Sequence, residues 1–358
     1  MSSKRLSTAR GISRRQALSL GGIAAVSTIV RPARAASGGK VIVGSWGGPY
    51  TDAQATAYFK PFEAATGIKV EIVTAGNFTA GGIKGIVETG HYDWDWTTLG
   101  SADYSTSARN GWLEPIDYSL IDKSNKTPDN QFFKFGVGAE VTSDIIAYRS
   151  DVFPNGGPQS WADFWDVQKF PGPRTMEKSP FPLLEAALIV DGVAPDKLYP
   201  LDLDRAFKSA DKIKDKVTIW WESGSQSQDA IVSKNVVIAH MWNGRAGISA
   251  RDGAPIKISW NQGFYDPAFF AIPKGAPNKE NAMRLIDFAA GPKSLAKFAE
   301  LTFYGPSNLN SIELIDPKIR PLINTAPENS AKQIHRNYDW WASNLPKVTE
   351  RFVAWLVT

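Results

Sequence analysis

The chain has 358 residues, a formal net charge of +4 and no cysteine. The missing cysteines exclude disulfides, thiolate metal sites and a thiol nucleophile. The positive balance does not point to nucleic acid: the first 35 residues carry Lys4, Arg5, Arg10, Arg14, Arg15, Arg31 and Arg34 with no acid, and removing these seven leaves −3 on the remainder.

That first segment reads as an export leader. Arg14 and Arg15 precede a weakly apolar run over residues 18–30 and the small-residue site Ala33-Arg34-Ala35. This is the order of a twin-arginine signal, with cleavage expected after Ala35. A membrane-spanning helix needs ~20 predominantly apolar residues, and neither this run nor any later segment provides them. With no cysteine to carry a lipid, a free protein of the bacterial periplasm is expected.

The remaining stretch is large for one core and comfortable for two lobes. Residues 41–43 form a short apolar strand that ends at Trp46-Gly47-Gly48. Thr51 or Asp52 can cap a helix with Ala55, Tyr58, Phe59, Phe62 and Ala65 on one stripe, kinked at Pro61 and stopped at Gly67. Residues 68–73 alternate as a strand. The spacing in Asp93-Trp94-Asp95-Trp96 puts both indoles on one face, as core. Further buried strands are expected over 145–148 and 236–241, and helices over 204–216 and 279–290. This alternation predicts an α/β fold with largely parallel sheets, in which ligands bind beyond the carboxyl ends of the strands.

Much catalytic chemistry is missing. His91, His240 and His335 lie far apart without metal-ligand spacing, and are expected as structural histidines. There is no G-x-S-x-G, no P-loop and no G-x-G-x-x-G. No local spacing marks a pair of catalytic carboxylates, so an exported carboxylate-based hydrolase or lyase is only the alternative reading. No cofactor, no metal and no nucleic-acid partner are expected.

Aromatic residues beside glycines are present instead. All thirteen tryptophans follow the leader. Trp46-Gly47-Gly48 and Trp242-Asn243-Gly244-Arg245 stand at predicted strand ends, where glycine lets backbone approach a ligand and an indole supplies a flat wall. On position alone these two indoles are as well read as core, and Arg245 alone as a surface ion pair. Trp112, Trp161, Trp165 and Trp260 read as core.

Read in order, these strings resemble extracellular solute-binding proteins of ABC importers, in the spermidine/putrescine-binding group. The resemblance rests on Ser45-Trp46-Gly47-Gly48-Pro49-Tyr50, residues 62–70 (FEAATGIKV), Ser160-Trp161-Ala162-Asp163-Phe164-Trp165, Met241-Trp242-Asn243-Gly244-Arg245 and Ala271-Ile272-Pro273-Lys274-Gly275-Ala276. It implies a two-lobed α/β binding-protein fold of type II kind, each lobe a mainly parallel sheet flanked by helices, with the ligand cleft between. The first lobe would hold 36–141 and 268–306, and the second 142–267 and 307–358. It further implies ligand contacts from Trp46, Tyr50, Trp242 and the loop at Ser101, delivery of a small solute to an inner-membrane ABC permease, and a monomer. A periplasmic ligand sensor of the same fold is a further alternative.

The chain departs from the polyamine pattern. Ser179, Pro182 and Ala268 stand where the resemblance leads one to expect acids, with Glu177, Glu185 and Asp266 nearby. Arg245 adds a positive charge, and at ~4 Å with an effective dielectric of 20 a second cation would meet about 4 kcal/mol of repulsion as an upper figure. The expected ligand is therefore a small carboxylate-bearing, amino-acid-like solute, with a polyamine-like one as the alternative. Arg245 would hold its carboxylate and Asp266 any amine. Trp221, Ser225 and Gln226 would face the cleft as a polar loop. The clustered tyrosines of iron-binding relatives are missing.

Overall fold

A computed structural model describes residues 38–357; the expected export leader lies outside the described residues. The strands are β1 (Lys40–Gly44), β2 (Lys69–Val73), β3 (Trp96–Gly100), β4 (Phe132–Phe133), β5 (Gly136–Arg149), β6 (Arg174–Glu177), β7 (Val217–Trp221), β8 (Ile238–Trp242), β9 (Ile256–Ala271), β10 (Gly305–Pro306) and β11 (Ile334–His335). They join in the order β2-β1-β3-β9-β5-β8-β6-β7, with β4 and β10 beside β5 and β11 beside β9.

The expected parallel pairs lie on the two flanks. β1 pairs in parallel with β2 and β3, and β6 with β7 and β8. Between them β5 and β9 run antiparallel to each other and to their outer neighbours β8 and β3. These two strands are long because they serve both halves of the sheet. The end of β9 (Ala268 to Ala271) pairs with β3, whereas the second part of β5 (Asp144 to Tyr148) pairs with β8. Their mutual register shifts between Gly138 and Val141 and again between Asp144 and Ile146. Each shift breaks the regular ladder, so the sheet is irregular where it passes from one half to the other.

Each half has its own core. Trp96 stacks on Phe270, and Phe59 and Phe62 pack with them under the first half. Trp161, Phe164, Leu184, Phe264, Trp341 and Phe352 fill the second. Trp161 donates from Nε1 to the Gln262 carbonyl at 2.9 Å and stacks on Phe264, so the indole expected as core has a partner for its one polar atom. The helix expected near Thr51 begins earlier, at Gly48, and Pro61 does not break it. It runs as α over Gly48–Gln54, widens to π over Ala55–Phe59 and resumes as α over Lys60–Thr66. The wider turn directly precedes the proline, whose missing N–H removes an α-type bond there. Gly67 at φ 74° ends the helix.

The last part of the chain is divided between the halves. Ile312, Ile315, Ile323 and Ala326, expected with the second lobe, pack instead on Ala296 and Ala299 of the helix Pro292–Thr302. The chain reaches the second core with Trp341, Val348 and Phe352 of the final helix, Tyr338–Val357. Among the described residues no helix is long and apolar enough to cross a membrane.

Trp341 is fully buried, and its Nε1 donates to Glu185 Oε1 at 2.8 Å. Trp341→Ala removes that volume and leaves the carboxylate short of a donor. Urea denaturation is expected to show a loss of roughly 3–5 kcal/mol, and Trp341→Phe a smaller one.

Candidate functional site

A cavity of about 570 Å³ opens where the two halves meet, within the usual ~300–1,000 Å³ of small-molecule sites. Its position follows from strand direction: β1, β3, β6 and β8 all deliver residues from their carboxyl ends. β1 leads to Trp46 and Tyr50, β3 ends on Gly100, β6 ends on Glu177, and β8 ends on Trp242; Ser101, expected at a contact loop, lies buried behind the lining. The crossing strands form the floor with Glu140, Asp144 and Asp266.

The Trp46 wall is built by its glycines. Gly47 and Gly48 hold φ at 81° and 57°, a region that L side chains rarely adopt, and turn the chain into the helix that follows. Trp46 stays 51% exposed, edge-on to Phe78. Tyr50 lines the cavity and donates its hydroxyl to Glu140. Burial pushes Glu140 up to about 7, against the pull of that hydroxyl.

On the opposite wall Trp242 lies edge-on to Trp221. Trp221 is itself buried, stacked on His240 and donating to the His240 carbonyl at 3.0 Å, so it backs the wall and does not line it. Ser225 and Gln226 also lie outside the lining. They sit in the first turn of the helix Gly224–Val232, where Gln226 and Ser223 form a capping box. That loop meets the site through Gly224. A Cβ there would lie 2.9 Å from Arg245 Nε and 3.0 Å from the Trp242 ring.

The two arginines of the cavity are used in opposite ways. Arg336 follows β11 and is buried. Its Nη2 pairs with Asp144 Oδ2 at 2.8 Å, its Nε with Glu185 Oε1 at 3.0 Å and its Nη1 with Asp266 Oδ2 at 3.0 Å. The Phe181 ring lies 4.8 Å from the guanidinium. Burial works to lower the Arg336 pKa, but the three acids outweigh it and hold it well above the ordinary value. Asp266 also accepts from Ser101. Burial raises the Asp266 carboxyl despite Arg336 and Ser101, whereas at Asp144 burial is outweighed by Arg336 and His240, and the carboxyl is held low. Arg245, in contrast, lines the cavity and its guanidinium has no hydrogen bond or ion pair among the described residues.

Asp144, Glu177 and His240 bring potential ligand atoms within 4.8 Å of one another. The hydrogen bonds argue against a metal there. His240 Nδ1 accepts the Glu177 backbone N–H at 3.2 Å, so the proton sits on Nε2, which donates to Asp144 Oδ1 at 3.0 Å. Both ring nitrogens are committed, and Arg336 occupies the other Asp144 oxygen. Burial first, then the Asp144 charge, push Glu177 up to about 9 against Arg336.

Sequence reasoning thus reached Trp46, Tyr50, Trp242, Arg245 and Asp266 in the lining, and missed Glu140, Asp144, Tyr304 and Arg336. Glu140 and Asp144 carried a usable signal: both are acids in a strand whose other residues before Arg149 are apolar or small polar, and a buried carboxylate needs a partner. Arg336 carried none.

Residues 57–328 match the family described as bacterial extracellular solute-binding protein. A gamma-aminobutyric acid-binding protein of Pseudomonas aeruginosa is 33% identical over 318 residues, covering 87% of this chain and 89% of the relative. A spermidine/putrescine-binding periplasmic protein of Escherichia coli is 26% identical over 269 residues, covering 72% of this chain and 76% of the relative. A solved structure of a GABA receptor superimposes with a TM-score of 0.81 at 36% identity, over 88% of this chain and 97% of its own. The fold is accordingly the two-lobed α/β architecture of periplasmic binding proteins.

Arg336→Ala would leave three carboxylates without their cation. A loss of roughly 3–5 kcal/mol is expected near neutral pH. Without the guanidinium the folded-state pKa values of these acids lie above the unfolded ones, so the variant binds more protons folded than unfolded. Its deficit relative to the parent should therefore shrink as the pH falls, as denaturation curves at neutral and mildly acidic pH would show.

Proposed function

The chain belongs to the bacterial extracellular solute-binding protein family, and on that premise we propose that it captures a small zwitterion of the ω-amino-acid type, such as GABA, for import. The observation that carries this is the unpaired guanidinium of Arg245 in a cavity whose other arginine is saturated by acids. A carboxylate is its natural complement, because a guanidinium offers parallel donors to two oxygens. Glu177 at the end of β6, which has no ion pair among the described residues and lies beside the Arg336-bound Asp144, is the acid open to an ammonium at the other end. Trp46, Tyr50 and Trp242 enclose the chain between. The GABA-binding relative and the GABA receptor support the same class of solute.

On this reading the protein is exported by the twin-arginine route, works as a monomer in the periplasm and hands its solute to an inner-membrane ABC permease. The periplasmic relative supports the compartment. One lobe holds 38–141 and 268–326 and the other 142–267 with the final helix, and they hinge on β5 and β9 at the two register shifts.

Thermal-shift and calorimetric titration with GABA test the assignment. Arg245→Ala is expected to weaken binding by about ten- to a hundredfold, the loss of one charge-assisted contact, with the unliganded melting temperature nearly unchanged. Unaltered affinity would remove Arg245 from the carboxylate role. A clean thermal rise with spermidine and none with GABA would return the solute to the polyamines.

A further inference from the structure

We propose that Glu177 makes capture proton-linked: in the empty cleft it and Asp144 hold one proton between them, and the ammonium of the solute displaces that proton. This inference rests on the zwitterion reading above and adds to it the residue that senses the cationic end.

The geometry carries it. Glu177 ends β6 and lines the cavity. A carboxylate oxygen of Glu177, one of Asp144 and a ring nitrogen of His240 lie within 4.8 Å of one another. The two acids are not equivalent. Asp144 receives His240 Nε2 on one oxygen and Arg336 Nη2 on the other. The Glu177 carboxyl makes no hydrogen bond among the described residues. Two carboxyls this close do not both ionise readily, and the one with two strong donors keeps the charge. The proton therefore rests on Glu177, in agreement with its raised pKa. Among the described residues Arg336 is the cation that pulls against that proton. From β5 Glu177 faces Asp144, from β8 the neutral His240, and beyond β11 Arg336, whose charge is shared with Asp266 and Glu185. On the β7 side Glu222 is taken by Lys178 at 2.6 Å. Asp103, Glu140 and Arg245 lie elsewhere on the cavity wall.

An ammonium seated against Glu177 reverses the balance. The O–H bond of the carboxyl breaks, the proton passes to solvent, and the carboxylate pairs with the ammonium. No redox or covalent change accompanies it. A hydroxyl or methyl in place of the ammonium would leave the proton where it was. The device would thus favour zwitterions over plain carboxylic acids that fill the same cavity and pair with Arg245.

The experiment is calorimetry of GABA binding to the full chain, near neutral pH, in buffers of low and high ionisation enthalpy. About one proton should be released for each GABA bound, and affinity should rise by up to about tenfold per pH unit below the empty-state pKa of Glu177. In Glu177→Gln the release and the pH slope should vanish. Should this variant not bind, the infrared difference between the empty parent and the empty variant decides, and it should contain the carbonyl band of a protonated carboxyl. Binding with buffer-independent heats, release that persists in Glu177→Gln, or an infrared difference without that band would each overturn the inference while leaving the zwitterion reading intact. No heat with GABA at all would overturn the zwitterion reading and this inference with it.

Discussion

The site depends on one buried guanidinium. Arg336 gathers Asp144 from β5, Asp266 from β9 and Glu185 from the helix Leu183–Val190, three segments that approach it from different directions. Neither Asp144 nor Glu185 could stay charged and dry alone, since the desolvation of an ion costs several kcal/mol even after relaxation. The cation could not stay buried without them. The cluster adds little net stability by this argument, because desolvation offsets much of its attraction. What it adds is position. β5 and β9 are irregular where they cross between the halves, and backbone register alone fixes them poorly there. A planar guanidinium, with donors in fixed directions and Phe181 against its face, holds both strands at one point.

This commitment shapes what the cleft presents. With Asp144 and Asp266 engaged by Arg336, the floor is less negative than its count of acids suggests, and Glu177 is held neutral. A polycation would find few free charges to meet and Arg245 in its way. A carboxylate would find Arg245 open. The two arginines share a residue type, but the acids around one fix it in the structure and the lack of them around the other leaves its guanidinium open to the cavity. His240 belongs to the structural side: its two nitrogens join the end of β6 to Asp144 and fix the carboxylate's orientation.

Periodicity and local strings encode part of the fold and of the site. The strands near residues 41–43, 68–73 and 236–241 and the helices near 204–216 and 279–290 fall within about two residues of their observed limits, whereas 145–148 is only the end of the longer β5. Trp46, Tyr50, Trp242 and Arg245 were legible because they lie just past strand ends, where glycines interrupt the pattern. Trp221, Ser225 and Gln226 show the weakness of that argument. A polar string after a strand also describes a helix start, and the capping box used Gln226, one of the side chains expected to face a ligand. Arg336 was illegible because its partners lie 192, 151 and 70 residues away. No window of sequence contains that cluster, and its arginine stands in a stretch without periodicity. The packing of residues 312–326 was illegible for a related reason. Their apolar residues fit either core, and only packing on the helix Pro292–Thr302 decides between them.

A hinged binding protein closes only if its solute interacts better with the closed form than with the open one. The layout meets that requirement because neither half holds a complete site. Trp46 and Tyr50 come from one half, and Trp242, Arg245 and Glu177 from the other. A solute resting on one wall leaves the other wall's groups in water. For Trp46, half of whose surface is exposed, the gain on closure is burial of an indole face, at roughly 25 cal/mol per Å² of apolar area. For Arg245 it is a carboxylate partner in surroundings less polar than water, where the contact is stronger. Both gains need a solute that spans the cleft with an apolar middle and a charged end. A small inorganic ion reaches the guanidinium but leaves the indoles apart, and an uncharged apolar molecule reaches the indoles but leaves the guanidinium unpaired. The solute is therefore selected by the requirement that one molecule favour closure through both walls together.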